Sequence, residues 1–268
     1  MKPNAEIEKY RVVIIESLPD NEIKTGKKLF EDDLQPIAKA DDSFEAVLFQ
    51  VNTVAEFKNA ISKTILQLKG NELVTLHIEA HGYEDKGILL SSKEILQWSD
   101  FLDCCRKVNI QLNGLLMVTT AMCYSLPLIA KIDPLKRAPF KAILLSTKDL
   151  TVGEIEAGFS AFFGVYRNLL NVFDATSAII QEVNNGSNKG KFQLLVADYL
   201  FDEITNPDRD PIGFAHIVNE HYCINKSKDP TYSKERVESE IRQVLAELSK
   251  NGRDFFLFKD VYRQNKRE

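Results

Sequence analysis

No stretch of this sequence is long and apolar enough to cross a membrane. A spanning helix needs about 20 consecutive, mostly apolar residues, and the 268-residue chain contains no such run. The residues from Met1 to Glu6 also lack the apolar stretch of a signal peptide. We therefore expect a cytoplasmic protein with no membrane partner.

Neither basic residues nor cysteines are abundant. The 34 Lys and Arg residues are outnumbered by 39 Asp and Glu residues, which gives a net charge of −5, whereas a nucleic-acid surface needs a basic face. The 4 cysteines, of which Cys104 and Cys105 are adjacent, do not have the spacing of a disulfide framework. These features argue against a nucleic-acid partner and against a small disulfide-rich fold.

The chain also lacks a phosphate-binding loop. The β-branched run at residues 11–16 predicts a buried strand, but the segment Glu16-Ser17-Leu18-Pro19 that follows contains no glycine. A doubly wound nucleotide-binding protein is therefore disfavoured. His and Cys residues match no strong zinc-binding spacing, so we predict no metal and no other cofactor.

Apolar strand patterns alternate with helical ones along the first two hundred residues. This alternation predicts an α/β fold, with a mostly parallel six-stranded sheet and helices on both faces. The predicted strands are residues 11–16, 46–51, 73–80, 115–120, 140–146 and 192–198.

The character of the sequence changes after about residue 205. A segment rich in proline and aspartate, residues 207–211, precedes a charged amphipathic pattern at residues 233–248. We therefore predict an α/β domain over residues 1–205 and a helical extension over residues 206–268.

Two of the predicted strands end in residues that suit thiol chemistry. The third strand leads into His81-Gly82, and the fourth leads into Cys123. A base and a thiol are the two groups that nucleophilic cysteine catalysis needs, and the 42 positions between them leave room for a crossover helix. Because parallel strands place their carboxyl ends at one edge of a sheet, we expect His81 and Cys123 to lie close together.

This order of elements resembles the caspase-like (clan CD) cysteine peptidases, and within them the bacterial caspase and CHAT-type branch. The resemblance lies in the His-Gly strand end and in the segment Thr120-Ala121-Met122-Cys123-Tyr124, which departs from the Gln-Ala-Cys of animal caspases. It implies a three-layer α/β/α sandwich and a cysteine endopeptidase that acts on a protein or peptide substrate.

The resemblance also implies roles for individual groups. His81 and Cys123 would form a dyad with the histidine oriented by backbone groups, and the N–H groups of Gly82 and Cys123 would stabilise the oxyanion. Bacterial enzymes of this kind are often activated by a partner protein or a small-molecule signal in defence or cell-death systems.

Alternative interpretations remain for these residues. A single His-Gly is usually a turn and a single Cys is usually a core residue, so only their order and spacing favour catalysis. The same fold can also serve as a catalytically silent binding or signalling module, against which the intact His81 and Cys123 argue. The pair Cys104-Cys105 resembles a metacaspase motif, but it lies in a helical pattern only 24 positions after His81.

Substrate preference is the least specified property. Asp149 and Glu154 follow the fifth predicted strand, where acidic groups would bind a basic side chain of the substrate, although most such charges are simply solvated. The acid that metacaspases carry two residues before the nucleophile is replaced by Ala121. Self-cleavage at Lys136-Arg137 is a further expectation, with ordinary solvation the simpler interpretation.

Overall fold

The computed structural model describes residues 9–69, 71–83, 86–183, 190–209, 211–227 and 229–264. Its strands are β1 Lys9–Ser17, β2 Phe44–Gln50, β3 Glu72–Tyr83, β4 Gly87–Leu89, β5 Ile95–Gln97, β6 Met117–Ala121, β7 Ala142–Ser146 and β8 Phe192–Val196. Its first helices are α1 Thr25–Lys28, which continues as a π-helix over Leu29–Leu34, then α2 Gln35–Ala40, α3 Val54–Gln67 and α4 Trp98–Gln111. A 3₁₀ helix, Leu126–Lys131, precedes α5 Val152–Leu169, α6 Val172–Val183, α7 Ala197–Thr205, α8 Pro211–Lys226, α9 Lys234–Asn251, α10 Arg253–Phe256 and α11 Lys259–Gln264.

The central sheet has the strand order β2-β1-β3-β6-β7-β8, and the β4–β5 hairpin is attached to β3. The pairs β1–β2, β1–β3, β3–β6 and β6–β7 are all parallel. Helices flank this sheet, so the predicted mostly parallel α/β fold is confirmed. Since β1 pairs with β2 on one side and β3 on the other, the strand order reverses at β1, and ligands of open α/β sheets bind at such a reversal.

Aromatic side chains of α5 cover one face of the sheet. The ring of Phe159 lies 4.5 Å from the ring of His77 on β3, and the ring of Phe163 lies 5.5 Å from it. Phe57 of α3 packs against Phe101 of α4 at 6.3 Å, within a separate helical group. All five side chains are buried, which explains why their apolar periodicity is visible in the sequence.

Local structure departs from the sequence-based expectation at the hairpin. The sequence pattern predicts a helix from Lys93 to about Val108, whereas Ile95–Gln97 forms β5 and α4 begins at Trp98. Lys93 has a left-handed backbone with φ of 72°, and its N–H donates to the carbonyl oxygen of Leu90 at 2.8 Å. This tight turn returns the chain along β4, so the helix cannot begin until the hairpin is complete.

Contacts divide the chain into two compact units. The first contains the residues up to Ile132 together with Pro139–Leu195, and the second contains Asp133–Ala138 together with the residues from Val196 onward. The helix α7 therefore groups with the C-terminal residues, whereas the boundary expected from the sequence lay after residue 205. None of the helices within the described ranges is long and apolar enough to span a bilayer.

Within the second unit, Arg137 of the basic pair Lys136-Arg137 is packed rather than freely exposed. The guanidinium group of Arg137 donates two hydrogen bonds to Asp260, at 2.5 and 2.7 Å, and lies 4.1 Å from the centre of the Phe255 ring. Its side chain is only 18% exposed. Arg137 is therefore a packing residue of this unit rather than a freely solvated cleavage site.

Candidate active site

The pairing between β3 and β6 places the two candidate segments at the same end of neighbouring strands. His77 pairs with Thr119, and Glu79 pairs with Ala121. The pairing ends there because β6 ends at Ala121, and His81 and Cys123 each lie two residues further along their chain segments. The sheet topology thus brings the His81 and Cys123 segments to the same edge of the sheet.

Backbone packing brings the two chain segments into direct contact. A Cβ atom added at Gly82 would lie 2.9 Å from the carbonyl carbon and 3.5 Å from the nitrogen of Cys123, and it would overlap the carbonyl oxygen of Cys123. Only glycine permits this approach. The third strand was expected to end at His81-Gly82, but these two residues continue β3 and pair with Leu89 and Ile88 of β4.

The loop that carries Cys123 is fixed to the next strand by a buried serine. The Oγ of Ser125 accepts a hydrogen bond from the N–H of Ser146 at 3.0 Å and donates one to its carbonyl oxygen at 3.0 Å. The N–H of Ser125 donates to the same carbonyl oxygen at 3.0 Å. Tyr124, which lies between Cys123 and Ser125, adopts a left-handed backbone with φ of 51°. These bonds hold the thiol segment against the end of β7.

The surroundings of the Cys123 thiol favour its protonated form. Burial raises the pKa of the Cys123 thiol, and the Asp149 carboxylate beside it raises that pKa further. The backbone N–H of Leu150, 3.4 Å from Sγ, and the N–H of Cys123 itself oppose this shift. A thiol in this setting needs a base before it can attack, because the thiolate is the nucleophile.

The imidazole of His81 is bound by the carboxylate of Glu22. Glu22 Oε2 lies 2.8 Å from His81 Nε2, and the two side chains are 39% and 45% exposed. The sequence reasoning did not identify Glu22 and expected backbone groups to orient the ring. The available signal was its position in the loop after β1, the strand that neighbours β3 in a parallel sheet.

The two acidic candidates for substrate recognition differ in their surroundings. Asp149 is exposed, contacts the thiol and accepts a hydrogen bond from the hydroxyl of Tyr124 at 3.0 Å. Glu154 instead caps α5 in a capping box with Thr151 and binds Lys191 at 2.5 Å. Burial raises the pKa of Glu154, but the hydrogen bonds from Lys191 and Thr151 outweigh it and lower that pKa overall. Only Asp149 lies beside the thiol.

A buried polar network lies beneath the site. His77 is fully buried, with Nδ1 2.8 Å from the hydroxyl of Thr119 and Nε2 2.9 Å from Glu79. Glu79 also accepts a hydrogen bond from the hydroxyl of Thr25 at the start of α1. His77 is therefore a satisfied core histidine. The network links β3, β6 and α1 directly below the candidate dyad.

The remaining cysteines are poor candidates for the nucleophile. Cys104 and Cys105 are buried on α4, and burial raises the pKa of both thiols. Cys223 is exposed but lies on α8 in the second unit, so it does not follow a strand. No group of three or more metal-ligating side chains occurs in the part of the chain that the structure describes.

Comparison with known proteins finds a likeness in fold. No family model matches this sequence, and no curated protein matches it. Among solved structures, the fold is similar to that of a secreted C11 cysteine protease from Bacteroides thetaiotaomicron in complex with an irreversible peptide inhibitor, with a TM-score of 0.50. The match covers 72% of this chain and 68% of that protein at 10% identity. The likeness confirms the caspase-like α/β fold of this chain.

Proposed function

We propose that this chain is a cysteine endopeptidase in which Cys123 is the nucleophile and His81 is the general acid and base. The observation that carries this proposal is the close backbone approach of Gly82 to Cys123, just beyond the paired parts of β3 and β6. In this proposal the imidazole and the thiol act together at the carboxyl edge of a parallel sheet, where sites of this fold class lie.

The reaction follows from the chemistry of these groups. His81 takes the proton of Cys123, and the thiolate sulfur forms a bond to the carbonyl carbon of the scissile peptide. When the carbon–nitrogen bond breaks, the imidazolium gives its proton to the leaving amine. Water then attacks the thioester as His81 accepts its proton, and cleavage of the carbon–sulfur bond releases the acid and restores the thiol.

The negative oxygen of each tetrahedral intermediate needs donors placed where its charge develops. We assign this role to the backbone N–H groups of Gly82 and Cys123, whose segments are in contact. Losing one such donor typically costs about 2.7–4 kcal/mol of transition-state stabilisation.

Asp149 is the group we assign to substrate recognition. Its carboxylate is exposed and lies beside the thiol, so a lysine or arginine before the scissile bond would meet an opposite charge. The Glu154 carboxylate is engaged by Lys191 and by the first turn of α5, and we therefore leave it out of the recognition site.

The cellular context is proposed from the resemblance to the bacterial caspase and CHAT-type branch. In this proposal the enzyme is cytoplasmic, is activated by a partner protein or a small-molecule signal, and cleaves a protein during defence or cell death. It requires neither a cofactor nor a nucleic acid. A cleavage assay on a peptide library, run with and without bacterial lysate fractions, would reveal such an activator.

One observation favours a second candidate function. The raised pKa of the Cys123 thiol is also what a catalytically silent binding or signalling module of this fold would have. In that case a Cys123→Ala variant would retain the full biological effect of the protein.

A peptidyl electrophile distinguishes the two functions. An acyloxymethyl ketone with lysine at its first position should label Cys123, and the Cys123→Ala variant should lose this label. Cys223→Ala is the matched control because Cys223 is an exposed thiol outside the site, so its loss should leave labelling unchanged. Equal labelling of Cys223 and Cys123, or none at Cys123, would contradict the peptidase proposal.

A further inference from the structure

The hydrogen bond between Glu22 and His81 is not part of the dyad described above. Its 2.8 Å length is that of a charge-assisted bond. A carboxylate can only accept a hydrogen bond, so Nε2 must carry the hydrogen. In the neutral ring this leaves Nδ1 with the lone pair that can take the thiol proton.

The loop that carries Glu22 is itself held in place. The N–H of Glu22 donates to the carbonyl oxygen of Pro19 at 3.0 Å. The ammonium group of Lys24 donates to the carbonyl oxygens of Leu18 and of Pro19, the latter at 3.0 Å, which closes the loop on itself. A carboxylate on such a loop loses less conformational entropy on binding the ring than one on a free segment.

Two buried carboxylates anchor the far end of this loop. The hydroxyl of Thr25 donates to Glu79 of β3, and the N–H of Lys27 donates to Glu16 of β1 at 3.0 Å. Gly26 packs so closely that an added Cβ would lie 3.0 Å from Glu79 Cγ. The loop is therefore tied to the same strand that carries His81, two residues before it.

We propose that Glu22 is a positioning residue that holds His81 through Nε2 so that Nδ1 serves the thiol. This inference rests on the proposed function, because it gives the imidazole its task. The arrangement parallels the acid that orients histidine in hydrolase triads, but here the acid lies in the loop after β1. An ordinary half-exposed ion pair contributes little to stability, so the expected effect is on the reaction rather than on folding.

The first test does not depend on activity. Protein labelled with ¹⁵N-histidine contains only 4 histidines, and the His81→Gln variant identifies the signal of His81. At low temperature the wild type should show a hydrogen-bonded Nε2–H proton resonance for His81, shifted downfield. Glu22→Ala should lose this resonance, and its absence from the wild type would overturn the proposal whether or not the protein is a peptidase.

Kinetics provide the second test on the peptide that the library identifies. Glu22→Ala should lower kcat by about 10- to 100-fold, less than the loss of a general base itself, with KM changed less than about twofold. Glu22→Gln keeps an oxygen acceptor and should restore most of the rate.

Asp20→Ala is the matched control, since Asp20 lies in the same loop, is fully exposed and pairs only loosely with Lys24 at 3.8 Å. A Glu22→Ala variant as active as Asp20→Ala would overturn the proposal. If Cys123 resists the peptidyl electrophile while the Nε2–H resonance is present, the peptidase proposal fails and the positioning contact stands.

Discussion

The imidazole and the thiol of the candidate site each lie next to a carboxylate, but the two carboxylates act in opposite directions. Glu22 accepts a hydrogen bond from His81. Asp149 raises the pKa of the Cys123 thiol and so opposes formation of its thiolate. In the proposed mechanism, the imidazole is thus already oriented while the thiol is still protonated, and a basic substrate side chain that neutralises Asp149 would favour the thiolate.

The largest loss of activity is expected where the His81-Gly82 segment touches the Cys123 segment. Gly82→Ala forces a methyl group against the carbonyl group of Cys123, and a displacement of about 1 Å at a reacting group can cost about 100-fold in rate. We expect peptide cleavage and labelling of Cys123 to fall by about that factor. Rates measured by electrophile labelling, with circular dichroism to verify folding, would check this.

Gly164→Ala is the control for that substitution, because nothing lies within 4 Å of an added Cβ at Gly164. In the helix α5 it should leave activity unchanged and stabilise the fold by up to about 1 kcal/mol. Equal activity of the two variants would show that the contact between Gly82 and Cys123 does not matter for the reaction.

The next largest effect is expected from removing the Ser125 hydroxyl, which holds the Cys123 loop to the end of β7. Ser125→Ala leaves the buried N–H of Ser146 without the acceptor at 3.0 Å, and an unsatisfied buried donor costs about 1–3 kcal/mol. We expect urea denaturation to show a loss of this size, together with a rate reduction of about tenfold. Ser177→Ala, which removes an exposed hydroxyl on α6, should cost less than about 0.5 kcal/mol; a similar cost for both would contradict the anchoring role.

Neutralising Asp149 should reverse its effect on the thiol. Asp149→Asn removes the negative charge that raises the pKa of Cys123 and keeps an oxygen acceptor for the hydroxyl of Tyr124. The pKa of the thiol should therefore fall, and the pH profile of alkylation by iodoacetamide should move to lower pH. Below the thiol pKa, the rate should rise by up to about tenfold, the effect of one pKa unit.

The same variant should also weaken binding of basic peptides, which appears as a higher KM. Asp20→Asn, in the loop that carries Glu22, should change neither the alkylation profile nor KM. An unchanged pH profile of alkylation in Asp149→Asn would show that Asp149 does not affect the thiol, and the difference from Glu22 would then disappear.

The smallest effect is expected at Glu154. Its carboxylate caps α5 and binds Lys191, so Glu154→Ala should cost about 0.3–1.5 kcal/mol of stability and leave the preference for basic substrates intact. Thermal unfolding and a peptide-library profile would measure the two properties. A changed preference would place Glu154 in the recognition site alongside Asp149.

Much of the fold could be predicted because its physical signals are local. Apolar strand runs, the Thr151–Glu154 capping box and the aromatic stripe of α5 are all visible in the sequence, since each depends on residues a few positions apart. The prediction that His81 and Cys123 meet rested on one additional rule, the alignment of parallel strand ends.

The hairpin and the flanking carboxylates could not be predicted in this way. The pairing of His81 with Leu89 of β4 depends on a left-handed turn at Lys93, a residue with no special preference for it. Glu22 is 59 positions from His81, and Asp149 is 26 positions from Cys123, so no local pattern marks either contact.

The sequence by itself determined the α/β architecture and the two residue types at the strand ends. It could do so because apolar periodicity, and the alternation of strands and helices along the chain, depend on residues that are close in sequence. Only the tertiary structure decided which carboxylate faces the imidazole, which faces the thiol, and that Glu154 faces neither. The physical reason is that the ionisation and orientation of a side chain depend on charges and donors within a few ångströms, and folding brings these from distant positions of the chain.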